Sequence, residues 1–275
     1  MSTPDRLIPP DYHSHTILCK HAEGIPLDYA RSAKANGLTS MAATEHAPAP
    51  EPFSPGIRMA MDDFGLYHQW IREANSVEGI DVLLGIEADY YDECEPFLEK
   101  WLAEHPFDYV LGSVHFLAYH RERDHALEGI WDSDDLEGIW SRYFARIQRL
   151  ADSRLYDVAA HLDLPKKYKP VPDQTIVEQT VKPALDRIAE AGMGIEINTS
   201  GFNHQANEQY PSVTILAWAC ERGIPISFGS DSHQPQRMGA DFDRAVQAAL
   251  EAGYTERAEY RGRERTLVPL IAVPD

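Results

Sequence analysis

His13 and His15 stand two residues apart in the stretch "DYHSHTILCKH". In an extended chain, residues i and i+2 share a face, so both imidazoles can grip one ion. His21 follows six positions on. Similar polar residues recur along the chain. Thr44-Glu45-His46, Glu87, His115, His161 with Asp163, Asn198-Thr199-Ser200 and Asp231-Ser232-His233 each fall at or just past a β-prone run. Imidazole and carboxylate are the ligand types that zinc, iron and manganese accept from proteins. A lone histidine is ordinarily a hydrogen-bonded core or rim residue. A whole set at repeated strand ends is not explained that way, because burying so many polar groups costs free energy unless each is paired or coordinated. Seven of the twelve histidines (13, 15, 21, 46, 115, 161 and 233) fall in these places. His68, His105, His120, His125 and His204 lie in helices or loops.

The elements that must position these residues alternate. Strand-like runs occupy 11–15, 39–44, 81–88, 108–116, 157–162, 193–199 and 224–229, and longer segments with helical spacing lie between them. "IPLDYARSAKANG" ends on Gly37, a residue suited to the left-handed conformation past a helix end. "DQTIVEQTVKPALDRIAEAG" starts near Asp173 and ends at Gly192, with Pro183 expected to kink or interrupt it. "PSVTILAWACERG" has Pro211 near its start and Gly223 past its end. Seven strands, each followed by a helix or long loop, imply a parallel α/β barrel or a doubly wound sheet. In a barrel, the C-terminal strand ends converge on one mouth, where active sites sit. Residues more than 200 positions apart then meet in one pocket. "HAPAPEPFSPG" (46–56) is a proline-rich loop inside the domain, not a boundary.

The chain has 275 residues, within the range of one α/β barrel, and 43 % of them are hydrophobic. Its 25 basic and 44 acidic residues leave a formal charge of −19. Such a surface repels nucleic acid and anionic membranes, so neither is an expected partner. The three cysteines, Cys19, Cys94 and Cys220, form no CxxC pair, and read as reduced thiols of a cytoplasmic protein. The N-terminal stretch has no apolar signal region, and no run reaches the ~18 apolar residues of a membrane span.

"DYHSHTILCKHAEG", "TEH", "GIEADYY", "GSVHF", "AHLDLPKKY", "EINTSGF" and "FGSDSH" follow one another in this order. The set resembles the polymerase-and-histidinol-phosphatase (PHP) family, and most closely its histidinol-phosphatase branch, over about residues 11–270. The resemblance implies a single domain over 1–275, folded as a distorted (β/α)7 TIM-like barrel with two or three divalent metals (Zn, Fe or Mn). It assigns His13, His15, Glu87 and Asp231 to one metal, makes Glu87 the bridge to a second held by His115 and His161, and gives His21, His46 and His233 a third. Glu87, Asp231 and His233 are thereby the expected catalytic residues. The family motif often reads TDH where this chain has Thr44-Glu45-His46, which casts Glu45 as a residue that orients a ligand histidine.

The activity implied is hydrolysis of a small phosphomonoester by metal-activated hydroxide, foremost L-histidinol phosphate, in histidine biosynthesis. Such hydrolysis is among the slowest uncatalysed reactions, and paired ions suit it. Lys166, Lys167 and Arg237 are the expected cationic phosphate donors. The branch commonly has an arginine after its NTSG motif; here Phe202-Asn203-His204 stands there, and His204 is a candidate donor or leaving-group acid. Two alternatives stay open: a PHP phosphoesterase for another small phosphomonoester or a cyclic phosphate, and a non-catalytic metal-binding regulatory module. Cys19 reads as a small loop filler, and Tyr90 and Tyr91 as packing residues.

Overall fold

The computed structural model describes residues 8–50, 53–120, 126–131 and 134–270. Its frame is a six-stranded sheet of parallel strands: β1 (Ser40–Ala43), β2 (Asp81–Asp89), β3 (Tyr109–Ser113), β6 (Val158–Ala159), β7 (Gly194–Asn198) and β8 (Ile226–Gly229), in that order. Between β3 and β6 an antiparallel hairpin, β4 (Phe116–His120) with β5 (Ala126–Gly129), leaves the sheet. β9 (Glu256–Arg261) and β10 (Glu264–Pro269) form a second hairpin.

The expected strand at 11–15 is a bridging segment instead of a regular strand. On one side the Ala42 amide donates to the Asp11 carbonyl at 2.9 Å and the Thr44 amide to the Ser14 carbonyl at 2.8 Å. On the other, Tyr12 donates to Phe228 at 2.9 Å and His15 to Ser232 at 2.9 Å. The segment therefore joins β1 to β8 and closes the sheet into a seven-membered ring. Its pairing is broken into isolated bridges because the chain turns away at once into a 3₁₀ turn at Ile17–Cys19.

Both faces of the ring are buried, as a parallel sheet requires. Outside lie α1 (Pro26–Ala35), α2 (Phe64–Ala74), α3 (Glu95–Ala103), α4 (Leu136–Ser153), α5 (Gln174–Ala191), α6 (Val213–Glu221) and α7 (Phe242–Glu251). Their apolar faces pack on residues such as Ile86, Val110, Ile195 and Ile197. α5 runs unbroken through Pro183, held by its buried stripe Val177, Val181, Leu185 and Ile188. Inside, Tyr12, Leu83, Tyr109, Leu111 and Val158 form a separate apolar core with Ala258 and Tyr260 from β9. The β9–β10 hairpin thus plugs the end where the strands begin. Arg263 pairs with Asp157 at 2.9 Å and the Gly262 amide donates to Asp108 at 3.0 Å. Among the described residues, no helix is long and apolar enough to cross a membrane.

Candidate metal centre

At the opposite end of the ring the inward positions change from apolar to ionisable. Along β2 the inner face runs Leu83, Gly85, Glu87, and the next strand-end residue is Asp89. Glu87 is 1 % exposed and sits among five imidazoles: His46 Nδ1 at 2.8 Å, His161 Nε2 at 3.1 Å, His13 Nε2 and His15 Nε2 each at 3.5 Å, and His115 Nε2 at 3.8 Å. Asp231 Oδ1 lies 3.6 Å from His13 Nε2 and 3.3 Å from His15 Nε2. His21, His46 and His233 converge beside them.

The nine residues expected as ligands therefore meet at one mouth. Their donor atoms gather as His13–His15–Glu87, His46–Glu87–His115 and His21–His46–His233, each within 4.8 Å. His46 stands in two of these groups. Two of the nine have positive φ, His161 at +24° and Asp231 at +52°, a conformation uncommon for non-glycine residues. His68 and His105 lie away in and after the outer helices, and His125 lies outside the described residues.

Behind the donors stands a row of carboxylates that sequence reasoning mostly missed. Glu196 accepts from His13 Nδ1 at 2.7 Å, and Asp89 from His115 Nδ1 at 2.6 Å. Glu45 lies 3.6 Å from His15 Nδ1 and accepts the Thr16 amide at 2.9 Å. Asp89 is held in turn by Arg58 at 2.8 Å. Such partners fix the ring orientation of a ligating histidine. The available signal was alternation: Glu196 precedes Asn198, and Asp89 follows Glu87, by two residues each. Ser200, at the start of the loop after β7, donates to Asp231 Oδ2 at 3.2 Å.

The electrostatics divide the histidines. Burial disfavours charge on His15, but hydrogen bonds to Asp231 and Glu45 and the charge of Glu87 outweigh it and raise its pKa to about 9. His13 and His115 are raised in the same way, against burial, by Glu196 and Asp89. His46 falls to about 4 and His233 to about 3, by burial first. For Glu87 burial is outweighed by the imidazoles of His46 and His13, which hold it well below the usual carboxylate range.

The residues fit divalent metals on their own geometry. The Nε2 atoms of His13 and His15 stand 3.1 Å apart and both face Glu87 Oε2 and Asp231 Oδ1. Among the described residues, neither Glu87 Oε2 nor the His46 Nδ1 at 2.8 Å from it makes a well-directed hydrogen bond. Buried polar atoms are nearly always satisfied, and lone pairs converging on a shared centre are what ions coordinate. Cys19 Sγ also lies near His15 and His233. It donates to the Thr16 carbonyl at 3.1 Å, and burial raises its pKa to about 12.

Two cavities meet at this mouth and share His21, Asp231 and His233. One, of about 430 Å³, has an apolar wall of Phe116, Trp131 and Leu164 with Lys167 beside it. The other, of about 390 Å³, is polar and lined by Ser200, His204 and Arg237. Lys167, His204 and Arg237 are thus placed at the mouth. Lys166 is not: it is 3 % exposed and paired with Asp163 at 3.0 Å and Glu208 at 2.8 Å. An ammonium so neutralised and enclosed offers no donor to a phosphate, which corrects the expectation for Lys166. Tyr91 stacks on Phe53 with centroids 3.7 Å apart, and the Tyr90 hydroxyl donates to Glu95 at 2.6 Å. Both are packing residues.

The PHP domain matches residues 11–200 of the chain. A Deinococcus radiodurans protein named probable histidinol-phosphatase is 36 % identical over 249 residues, covering 88 % of this chain and 93 % of that one. The Bacillus subtilis histidinol-phosphatase is 28 % identical, over 85 % of this chain and 96 % of its own. Among solved structures, the histidinol phosphate phosphatase of Lactococcus lactis, complexed with zinc, L-histidinol and phosphate, superposes with a TM-score of 0.78 at 22 % identity. That match covers 94 % of this chain and 99 % of the other, and shows a common fold.

Proposed function

This chain belongs to the PHP family, and from that premise we propose that it hydrolyses L-histidinol phosphate to L-histidinol and phosphate with two or three divalent ions, zinc, iron or manganese, held by the nine converging residues. The observation that carries the reading is the 36 % identity, over 88 % of the chain, with a probable histidinol-phosphatase. The mouth supports it. The apolar lobe with Trp131 suits a small heteroaromatic leaving group, and the buried Trp131 Nε1 donor has no hydrogen-bond partner among the described residues. The polar lobe suits a hydrophilic remainder.

Divalent ions, when bound, supply Lewis-acid charge to phosphoryl oxygens and make water nucleophilic near neutral pH. The chain's own residues do the rest. Glu87 holds the groups together as their shared acceptor. Glu196, Glu45 and Asp89 set the orientation of His13, His15 and His115. Lys167 and Arg237 supply positive charge at the rim, where a phosphate dianion must overcome a net charge of −19. Burial and the nearby Lys167 lower the pKa of His204, which favours the neutral imidazole, and its place in the polar lobe suits it to donate a hydrogen bond to substrate. Direct attack by water that divalent ions would make nucleophilic is a single displacement, so inversion at phosphorus is expected.

A second reading, a different small phosphomonoester or a cyclic phosphate, is favoured by one observation: His204 stands in the polar lobe just after the NTSG motif, where the histidinol-phosphatase branch commonly has an arginine. Steady-state kinetics on histidinol phosphate, p-nitrophenyl phosphate and a cyclic diester decide between them. A kcat/KM highest for histidinol phosphate supports the proposal. Diester turnover without monoester turnover sinks it.

A further inference from the structure

Lys166 stands apart from the other cations near the mouth. Its Nζ has three partners: Asp163 Oδ2 at 3.0 Å, Glu208 Oε2 at 2.8 Å and the Gln209 carbonyl at 2.8 Å. Asp163 Oδ2 also accepts the amide of Ser212 at 3.0 Å, and Ser212 caps α6. These groups come from two separate loops. One follows β6 and carries His161, Asp163 and Lys167. The other follows β7, carries Ser200 and His204, and returns to pair Tyr210 with Asn198.

The second loop is folded tightly on itself. A Cβ added at Gly201 would lie 2.1 Å from the Glu208 carbonyl oxygen, so the segment 201–208 cannot breathe there without moving backbone. The rings of Tyr168, from the first loop, and His204, from the second, meet edge to face at 5.5 Å. Lys167 follows Lys166 directly and faces the apolar lobe.

We infer that Lys166 is a positioning residue: with Asp163 it locks the loop after β6 to the loop after β7, and so sets the spacing of Lys167 and His204 across the mouth. The lock is read from the contacts; what Lys167 and His204 do for substrate rests on the proposed function. A buried ion pair that ties two loops specifies their arrangement, and removing one partner leaves the other charge unpaired. A charge-assisted hydrogen bond to substrate lost by a shift of these loops costs about 10- to 100-fold in binding.

The test uses the full metal-loaded chain carrying Lys166→Met, Lys166→Arg or Glu208→Gln. Lys166→Met is expected to keep its metal content and to raise KM for histidinol phosphate by about 10- to 100-fold, with kcat moved less. Lys166→Arg restores most of the loss. In a Lys167→Ala/His204→Ala background, Lys166→Met adds nothing further to KM, as required of a residue acting through those two. Amide hydrogen exchange over 204–212 rises in Lys166→Met. Unchanged KM, loss of metal in step with kcat, or an additive effect in that background overturns the inference. Should Lys166→Met not fold, Glu208→Gln carries the test, with a smaller rise in KM. If the wild type turns over no histidinol phosphate, the substrate reading fails on its own. Hydrogen exchange, which needs no substrate, then decides the lock, and unchanged protection over 204–212 overturns it.

Discussion

Gly229→Ala tests the positioning of the candidate metal centre without replacing any of its donors. Gly229 is the last residue of β8, on the inner face of the ring. A Cβ there would fall 2.0 Å from Glu196 Oε1 and 2.5 Å from the His13 Cβ. Both lie about 1 Å or more inside the ~3.5–4.0 Å of favourable contact. Glu196 Oε1 is the atom that accepts from His13 Nδ1. The carboxylate has little room to pivot, because its Oε2 accepts the His161 amide at 2.9 Å and the Asn198 side-chain amide at 3.0 Å. The methyl must therefore displace Glu196 from His13 or push the 11–15 segment outward. Overpacking of this kind costs about 1–3 kcal/mol, and each kcal/mol lowers Tm by about 2–4 °C in a large domain. Loss of the carboxylate behind a ligating histidine lowers metal affinity about 10- to 100-fold, and turnover falls about 10²-fold. Metal content after dialysis against graded chelator, read with phosphate release and thermal unfolding, measures all three. Glu196→Gln should reproduce the metal and activity losses with a smaller change in Tm. If Gly229→Ala lowers Tm while metal affinity and turnover stay within about two-fold of wild type, the Glu196–His13 pair does not position the centre.

Glu87→Gln keeps the shape of the central acceptor and removes its charge; at least one bound ion should be lost, with turnover down ~10²-fold or more, and full metal content would show that Glu87 joins no two groups. Trp131→Ala should raise KM for histidinol phosphate about 10-fold and leave glycerol phosphate nearly unmoved; an equal effect on both would remove the leaving group from that lobe. Burial works against the charge of Asp92, but hydrogen bonds and charge from Arg146 and Arg149 outweigh it and hold its pKa below the ordinary value. Its contribution to stability is therefore present above the unfolded pKa of ~3.9 and lost as pH falls below it. Asp92→Asn should lower Tm at pH 7 and converge with wild type only once the pH has also fallen through the lowered folded-state pKa; a gap undiminished in strong acid contradicts the assignment.

Much of the centre was legible because its donors obey strand alternation and lie where strands end. His13 and His15 share a face by spacing alone, and Glu87, His115 and His161 follow from the ends of consecutive sheet strands. Glu196 and Asp89 were harder to see. A carboxylate within or at the end of a β-prone run looks like an ordinary polar interruption until its neighbours across the ring are known. Lys166 shows the opposite failure: adjacent lysines look alike in sequence, yet Lys167 reaches the mouth while Lys166 turns to Asp163. The hairpins at 116–129 and 256–269 escaped notice because their burial depends on distant partners, Tyr12 and Tyr109 in the case of Tyr260. Pro183 interrupts nothing, since packing of the buried stripe outweighs one missing backbone hydrogen bond.

Closure of the ring through residues 11–15 has a consequence for the order of events during synthesis. Asp11 accepts from Ser230, 219 positions later in the chain. At ~5–20 residues per second on the ribosome, the histidines made first wait on the order of 10–40 s for Asp231 and His233. Until then the segment has only β1 beside it, and the ring has an open edge. The candidate centre is therefore a late product of translation, and a chain that stops before β8 carries most of the candidate ligands but no closed site to hold an ion.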